Sequence, residues 1–224
     1  MTYNEYIRYH LGGDAGVEER MIASLSAYYK LSRWDSFRLA YYYTTTYHIP
    51  SALKLLRNHN TPKGELKFRT DRRYVRIGDT FTRLMAQLSP KLLEQLDRAT
   101  TTTEQYNVVS GWYFFGRYAA FLFLEVWAKL NGQQIIDDLA LQFEPGENYT
   151  KGAEIIAQTQ DKAALMAFIE RAKIDTCDNV FSLETSLCAV AKLKKGTRWN
   201  GYYTERLLSD IAGSEWENVI VSLL

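Results

Sequence analysis

Cysteine, histidine and proline are scarce in this chain, with two, three and four residues among 224. Cys177 and Cys188 match no zinc-module spacing and allow one bridge at most, which excludes a disulfide scaffold. Two free thiols are expected, with Cys188 on the buried face of a helix. His10, His48 and His59 form neither an i, i+4 pair nor an H-E-x-x-H pattern, so a histidine-based metal centre is not expected. With so little proline and no segment of biased composition, a long disordered linker is excluded as well. The longest apolar run, Trp112 to Leu130, is broken by Arg117, Glu125 and Lys129. Each charge costs ~2.5–3.5 kcal/mol at a bilayer centre, so this run reads as a buried helix and no membrane is expected. Met1 to Gly13 lacks a basic segment followed by an apolar one, so no secretory signal is expected and a reducing cytoplasm is the implied setting. A phosphate loop of the G-x-x-x-x-G-K-[ST] type is missing, so an ATP-driven kinase is not expected, and there is no G-x-S-x-G elbow. Gly12-Gly13-Asp14-Ala15-Gly16 follows no strand and reads as a flexible loop.

Aromatic and helix-period residues are abundant instead. Hydrophobic residues make up 46% of the chain and aromatic ones 14%, enough for one sizeable core. Apolar side chains recur at three- and four-residue steps over 17–31, 34–47, 50–56, 78–88, 91–99, 104–130, 135–143, 151–158, 162–174, 182–193 and 202–212. The expected fold is all-α: a single domain over 1–224, with roughly ten helices around a long central aromatic-rich helix at 104–130. Gly111 and Gly116 are its candidate kinks. Phe114, Phe121, Phe123, Leu124 and Trp127 are its core side chains. Only Leu66 to Ile77 has strand character. Asp137-Asp138 is expected on a helix, facing solvent rather than a metal.

The net charge of +1 conceals local imbalance. Residues 54–76 hold eight basic side chains, Lys54, Arg57, Lys63, Lys67, Arg69, Arg72, Arg73 and Arg76, against Glu65 and Asp71. Lys192, Lys194, Lys195 and Arg198 form a second block with no acid among them. The two blocks make an electrostatic footprint for a polyanion, and Phe68 and Tyr74 within the first suit nucleic acid. A solvated charged loop is the plainer alternative.

Two constellations carry chemistry. In Ser32-Arg33-Trp34-Asp35-Ser36-Phe37-Arg38, Asp35 and Arg38 share a helix face, either as a surface ion pair or as a positioned acid and anion donor. In the second, Glu184, Cys188, Lys192 and Lys195 fall at helical steps of four, four and three before a Gly201-Tyr202-Tyr203 turn. This stripe suits a phosphorylated ligand, and an amphipathic helix with exposed lysines is its plainer alternative.

The stretch Leu183-Glu184-Thr185-Ser186-Leu187-Cys188, Lys192-Leu193-Lys194-Lys195-Gly196-Thr197-Arg198-Trp199 and Gly201-Tyr202-Tyr203-Thr204-Glu205-Arg206 resembles the α-glutamyl/putrescinyl thymine pyrophosphorylase family. These are the amino acid:DNA transferases of bacteriophage thymidine hypermodification. The Ser32 to Arg38 segment is compatible with the same family, which is distantly like the helical DNA glycosylases, although this chain has no L-P-G-x-G loop. The resemblance implies a transferase that replaces pyrophosphate on 5-(pyrophosphoryloxymethyl)uracil in double-stranded DNA with an amine from an amino acid or polyamine. It implies that Lys192, Lys195, Arg198 and Arg206, with Arg33 and Arg38, hold the substrate's negative charge. Glu184, Asp178 or Asp35 would accept the amine's proton. Trp199, Tyr202 or Tyr203 would support a flipped base. Lys63, Lys67, Arg69, Arg72, Arg73 and Arg76 would hold the DNA backbone. No metal is strictly required, and Mg²⁺ is admissible on pyrophosphate. The implied location is the cytoplasm, of an infected bacterial host if the chain is phage-encoded. A non-catalytic helical DNA-binding protein is the competing reading.

Overall fold

Helix caps match the residues the chain supplies for them. The computed structural model describes residues 1–131, 135–198 and 201–224, the side chains of Asp14, Asp71 and Tyr202 excepted. Its α-helices are α1 (Tyr3–Gly12), α2 (Val17–Tyr28), α3 (Arg33–Thr46), α4 (Ile49–Arg57), α5 (Thr80–Gln87), α6 (Pro90–Asp97) and α7 (Thr102–Ser110). They continue as α8 (Arg117–Asn131), α9 (Asn148–Ala157), α10 (Lys162–Thr176), α11 (Val180–Lys194), α12 (Tyr202–Ile211) and α13 (Glu217–Leu223). Thr2, Ser32, Thr101, Asp161 and Asn179 each cap the next helix by accepting a backbone N–H. Among the described residues the only β pairing is a single bridge between Thr101 and Ile136, so the all-α class holds.

The chain divides into two compact units, Met1–Val17 with Asp137–Arg206, and Glu18–Ile136 with Leu207–Leu224. In the second unit α3 is buried from Ser36 to Thr46, save Arg38, and packs on α4 and α8. Phe37 is its hub. The ring lies edge-on to Trp112, Phe123 and Trp127 at 5.9, 5.6 and 5.6 Å, and stacks on Trp34 at 5.5 Å. Such pairs add about 0.5–1.5 kcal/mol each beyond the area they bury. In the first unit α9 packs against α11 so closely that Gly152 leaves no room for a Cβ, which would lie 2.1 Å from the Leu187 carbonyl oxygen.

Several expectations change. The 104–130 segment is two helices, α7 and α8, parted at residues 111–116 where Gly111 ends α7 and Phe114 takes a left-handed φ of 62°. Phe121, Phe123, Leu124 and Trp127 are buried as expected, whereas Phe114 is 38% exposed. Leu66–Ile77 carries no strand but a 3-10 turn over Thr70–Arg76. Asp137-Asp138 lies outside any helix, where Asp137 receives the Val180 N–H at 3.1 Å and pairs with Lys173 at 3.4 Å. Residues 12–16, expected as a loop, are the end of α1 and a 3-10 turn. Cys177 is exposed and Cys188 half-buried, and both are free thiols.

Candidate functional site

The second constellation is built on α11 and the turn after it, all within the first unit. Asn179 starts the helix by accepting the N–H groups of Phe181 and Ser182. A Schellman motif ends it: Gly196, at φ 66°, donates to the Leu193 carbonyl at 2.9 Å, and the Thr197 N–H bonds the Lys192 carbonyl at 3.1 Å. The chain therefore turns sharply just before Arg198. Lys192, Lys194 and Lys195 are exposed around the last turn, where their charge also complements the helix dipole.

Past the turn, Arg198 and Arg206 converge on one ring. The guanidinium carbon of Arg198 lies 3.4 Å from the Tyr203 centroid and that of Arg206 lies 4.8 Å from it. Arg198 is only 4% exposed while Arg206 is half-buried, so the two cations differ in reach. Arg198 cannot meet a bulky anion directly and instead holds Tyr203. Lys195 precedes Arg198 by three residues, at most about 10 Å of chain. The structure thus brings Arg198, Tyr203 and Arg206 together, with Lys195 three residues before Arg198 in the chain. Trp199 lies outside the described residues, and the side chain of Tyr202 does too.

The acids are placed differently. Glu184 is half-buried on α11, and Lys195 returns to within about 20° of its phase, ~16 Å along the axis. Asp178 precedes the helix and is therefore ~25 Å along the axis from Lys195, too far to share a ligand with the lysines. Its carboxylate is instead bound by His10 Nε2 at 3.0 Å. His10 Nδ1 meets Ser186 Oγ at 3.0 Å, and Tyr6 OH meets the same oxygen at 2.8 Å. Sequence reading missed this network, because His10 stands 168 residues from Asp178 and nothing local marks the pair. It has the parts of a serine nucleophile site but not the access. Ser186 is 1% exposed, and its Oγ lies 2.9 Å from the Leu183 carbonyl, placed to donate to it. Burial pushes the Tyr6 phenol well above its usual range. We read the group as a structural tie between α1 and α11.

Asp35, Arg33 and Arg38 belong to the second unit, and their charges are met locally. Asp35 is bound by Arg38 at 2.9 Å and by Ser32 Oγ at 2.8 Å. Arg33 pairs with Asp97 and Asn131 and lies over Trp127 at 5.2 Å. It lines a hollow of about 390 Å³ with Lys30, Ser36 and Lys129.

The first basic block is only partly a surface. Arg69 turns inward to Glu18 at 2.6 Å and Asp210 at 2.9 Å, stacking over Tyr47. Arg72 is 3% exposed beneath the rings of Phe114 and Phe115. Neither can hold a DNA backbone, because each cation is consumed in folding the turn. Lys63 spends its ammonium on the carbonyls of Arg76 and Gly78. Lys67, Arg73 and Arg76 remain exposed. Next to Arg69, Glu18 and Glu19 are both buried and share the Tyr43 hydroxyl at 2.8 and 3.1 Å. Burial first, and then the Glu18 charge, raise Glu19 above the ordinary carboxylate range. Among the described residues no group of histidine, cysteine, aspartate and glutamate could hold a metal ion, and no helix is long and apolar enough to cross a membrane. Comparison with protein-family models, with curated proteins and with solved structures finds no match.

Proposed function

We propose that the chain is a DNA-modifying transferase: it replaces the pyrophosphate of 5-(pyrophosphoryloxymethyl)uracil in double-stranded DNA with the amine of an amino acid or polyamine. The observation that carries this reading is the convergence of Arg198 and Arg206 on Tyr203, a few residues along the chain from Lys192 and Lys195 in the stretch that bears the family resemblance. Substitution breaks the exocyclic C–O bond and forms a C–N bond. The leaving oxygen takes the electron pair, and the attacking ammonium gives up a proton. Lys192, Lys195 and Arg206 offer the cationic cradle in which charge develops on pyrophosphate. Arg198 acts one step back, fixing the Tyr203 ring on which the displaced base can stack. Of the three candidate acids Glu184 suits proton acceptance best, since it lies on the same helix as the lysines and nearly in phase with Lys195. No step requires a resident metal; Mg²⁺ could accompany the pyrophosphate. Lys67, Arg73 and Arg76 would position the duplex. The reaction belongs in the cytoplasm, that of an infected bacterium if the chain is phage-encoded.

The test is mass spectrometry of nucleosides after pyrophosphorylated hydroxymethyl-uracil DNA is incubated with the protein and a panel of amines. An aminated nucleoside, lost in Arg206→Ala by about 10²–10³-fold in single-turnover rate with DNA affinity kept within a few fold, supports the reading. Unchanged nucleosides with intact DNA binding replace it with a non-catalytic DNA-binding protein.

A further inference from the structure

The connection between α7 and α8 presents one aromatic ring to solvent from an otherwise fixed turn. Trp112 and Phe115, on either side of it, are 6% and 0% exposed, and Phe115 stacks on Tyr41 at 5.1 Å. The side-chain amide of Gln87 clamps the backbone between them, accepting from the Tyr113 N–H at 2.9 Å and donating to the Tyr113 carbonyl at 3.1 Å. Phe114 is then held at φ 62°, a conformation that side chains other than glycine rarely adopt, with its ring 38% exposed. A large apolar ring kept outside by a turn this well anchored, against the preference of its own backbone, points to use.

The surroundings of the ring say what it meets. The Arg72 guanidinium supports it from below at 5.2 Å, and Arg72 Nη1 bonds the Phe114 carbonyl at 3.4 Å. The Thr70–Arg76 turn is tied to the start of α8 by Thr70 and Tyr118 hydroxyls 3.2 Å apart. Tyr74 and Tyr118 are also exposed, at 47% and 42%. Arg73 lies over Tyr74 at 4.9 Å and Arg83 over Tyr113 at 3.9 Å. Residues 70–76 and 111–118 hold Arg72, Arg73, Arg76 and Arg117 against one acid, Asp71. An apolar projection carried on a buried Arg72, with Arg73, Arg76 and Arg83 exposed on the neighbouring segments, matches a duplex, whose stacked bases lie between two rows of phosphates.

We propose that Phe114 is a wedge that enters double-stranded DNA between adjacent base pairs and unstacks them, while Arg73, Arg76 and Arg83 engage the flanking phosphates. The proposal rests on the reading of this chain as a DNA-acting protein and adds the group that opens the stack.

The probe is an unmodified duplex carrying aminopurine, whose emission rises on unstacking; anisotropy of a labelled copy gives affinity. The wild-type protein raises the emission. Phe114→Ala abolishes the rise and weakens binding about tenfold, while Phe114→Leu, which keeps an apolar wedge, retains most of both. Should Phe114→Ala fail to fold, Phe114→Gly, which suits φ 62° and also removes the ring, takes its place with the same expected loss. Wild-type binding with no rise in emission, or a full rise with Phe114→Ala, overturns the wedge and leaves the transferase reading standing. Absence of binding to modified and unmodified duplex alike overturns both. Anionic lipid vesicles are the control: binding to them in place of DNA assigns the ring to a membrane surface and rejects the wedge.

Discussion

Replacing Gly152 by alanine tests the contact on which the placement of α11 depends. The added Cβ would lie 2.1 Å from the Leu187 carbonyl oxygen and 2.7 Å from its carbon, where ordinary contact begins near 3.4 Å. Both clashing atoms are backbone, so no rotamer relieves them, and α9 must withdraw from α11 by about 1 Å. That movement loosens the buried faces bearing Ala153 and Ile156 on one helix and Leu183, Leu187 and Val190 on the other. Overpacking of this kind costs about 1–3 kcal/mol, and a backbone partner places it at the upper end. Against it stands the helix-propensity gain of alanine over glycine, about 0.8–1 kcal/mol. The net expectation is ~2 kcal/mol of lost stability, or a fall in Tm of about 4–8 °C for a chain of this length. Gly12→Ala is the control, because α1 has nothing within 4 Å of a Cβ there; it should hold or slightly raise Tm. Thermal unfolding followed by circular dichroism reads both. A Gly152→Ala protein as stable as the wild type would refute the close approach of the two helices.

Phe37→Ala should cost about 3–5 kcal/mol and lower the urea midpoint, since it empties the centre of the aromatic cluster. Glu19 is held above its ordinary value of 4.5, so its contribution is present at acid pH and is lost as pH rises from that value through the folded one. Glu19→Gln should therefore gain stability relative to wild type at pH 7–8 and little at pH 4.5, as read by urea unfolding at both. Arg73→Ala and Arg76→Ala should weaken DNA binding for all sequences and reduce its salt slope by about one each. Arg72→Ala should lower Tm instead, which a binding isotherm and a melt on the same preparation separate.

Helices were legible where periodicity was strong. The segments 34–47, 91–99 and 162–174 start within one residue of the observed α3, α6 and α10. Ends expected at 47, 158 and 174 fall within two residues of those observed for α3, α9 and α10, although Tyr47, Gln158 and Cys177 close these helices in left-handed conformations that glycine normally marks. The break at residues 111–116 was flagged by Gly111 and Gly116, yet periodicity could not say that Phe114 points outward. That depends on the Gln87 clamp, made by a residue 26 positions away from Tyr113. At Leu66–Ile77 the mixture of apolar and charged residues imitated an alternating strand. The strand character rested on Phe68, Tyr74, Val75 and Ile77, whereas the turn is fixed by the half-buried Arg69 and the buried Arg72 through partners, Glu18 and the 114–115 rings, that no window on the sequence contains.

The candidate site divides along the same line. Arg198, Tyr203 and Arg206 lie within nine residues, so a local pattern could bring them together. The acids could not be ranked without the helix, since counting residues treats Asp178 and Glu184 as neighbours of the lysines alike. A straight α11 sets Asp178 ~25 Å from Lys195 and Glu184 ~16 Å from it, nearly in phase. In the proposed step the nitrogen that yields its proton to Glu184 is the one that attacks the carbon losing pyrophosphate, so that nitrogen must lie within hydrogen-bond reach of the carboxylate whatever the length of the donor. Glu184→Gln should therefore slow single-turnover transfer by about 10²–10⁴-fold while leaving DNA affinity within a few fold. Unchanged transfer by Glu184→Gln would remove Glu184 from the reaction.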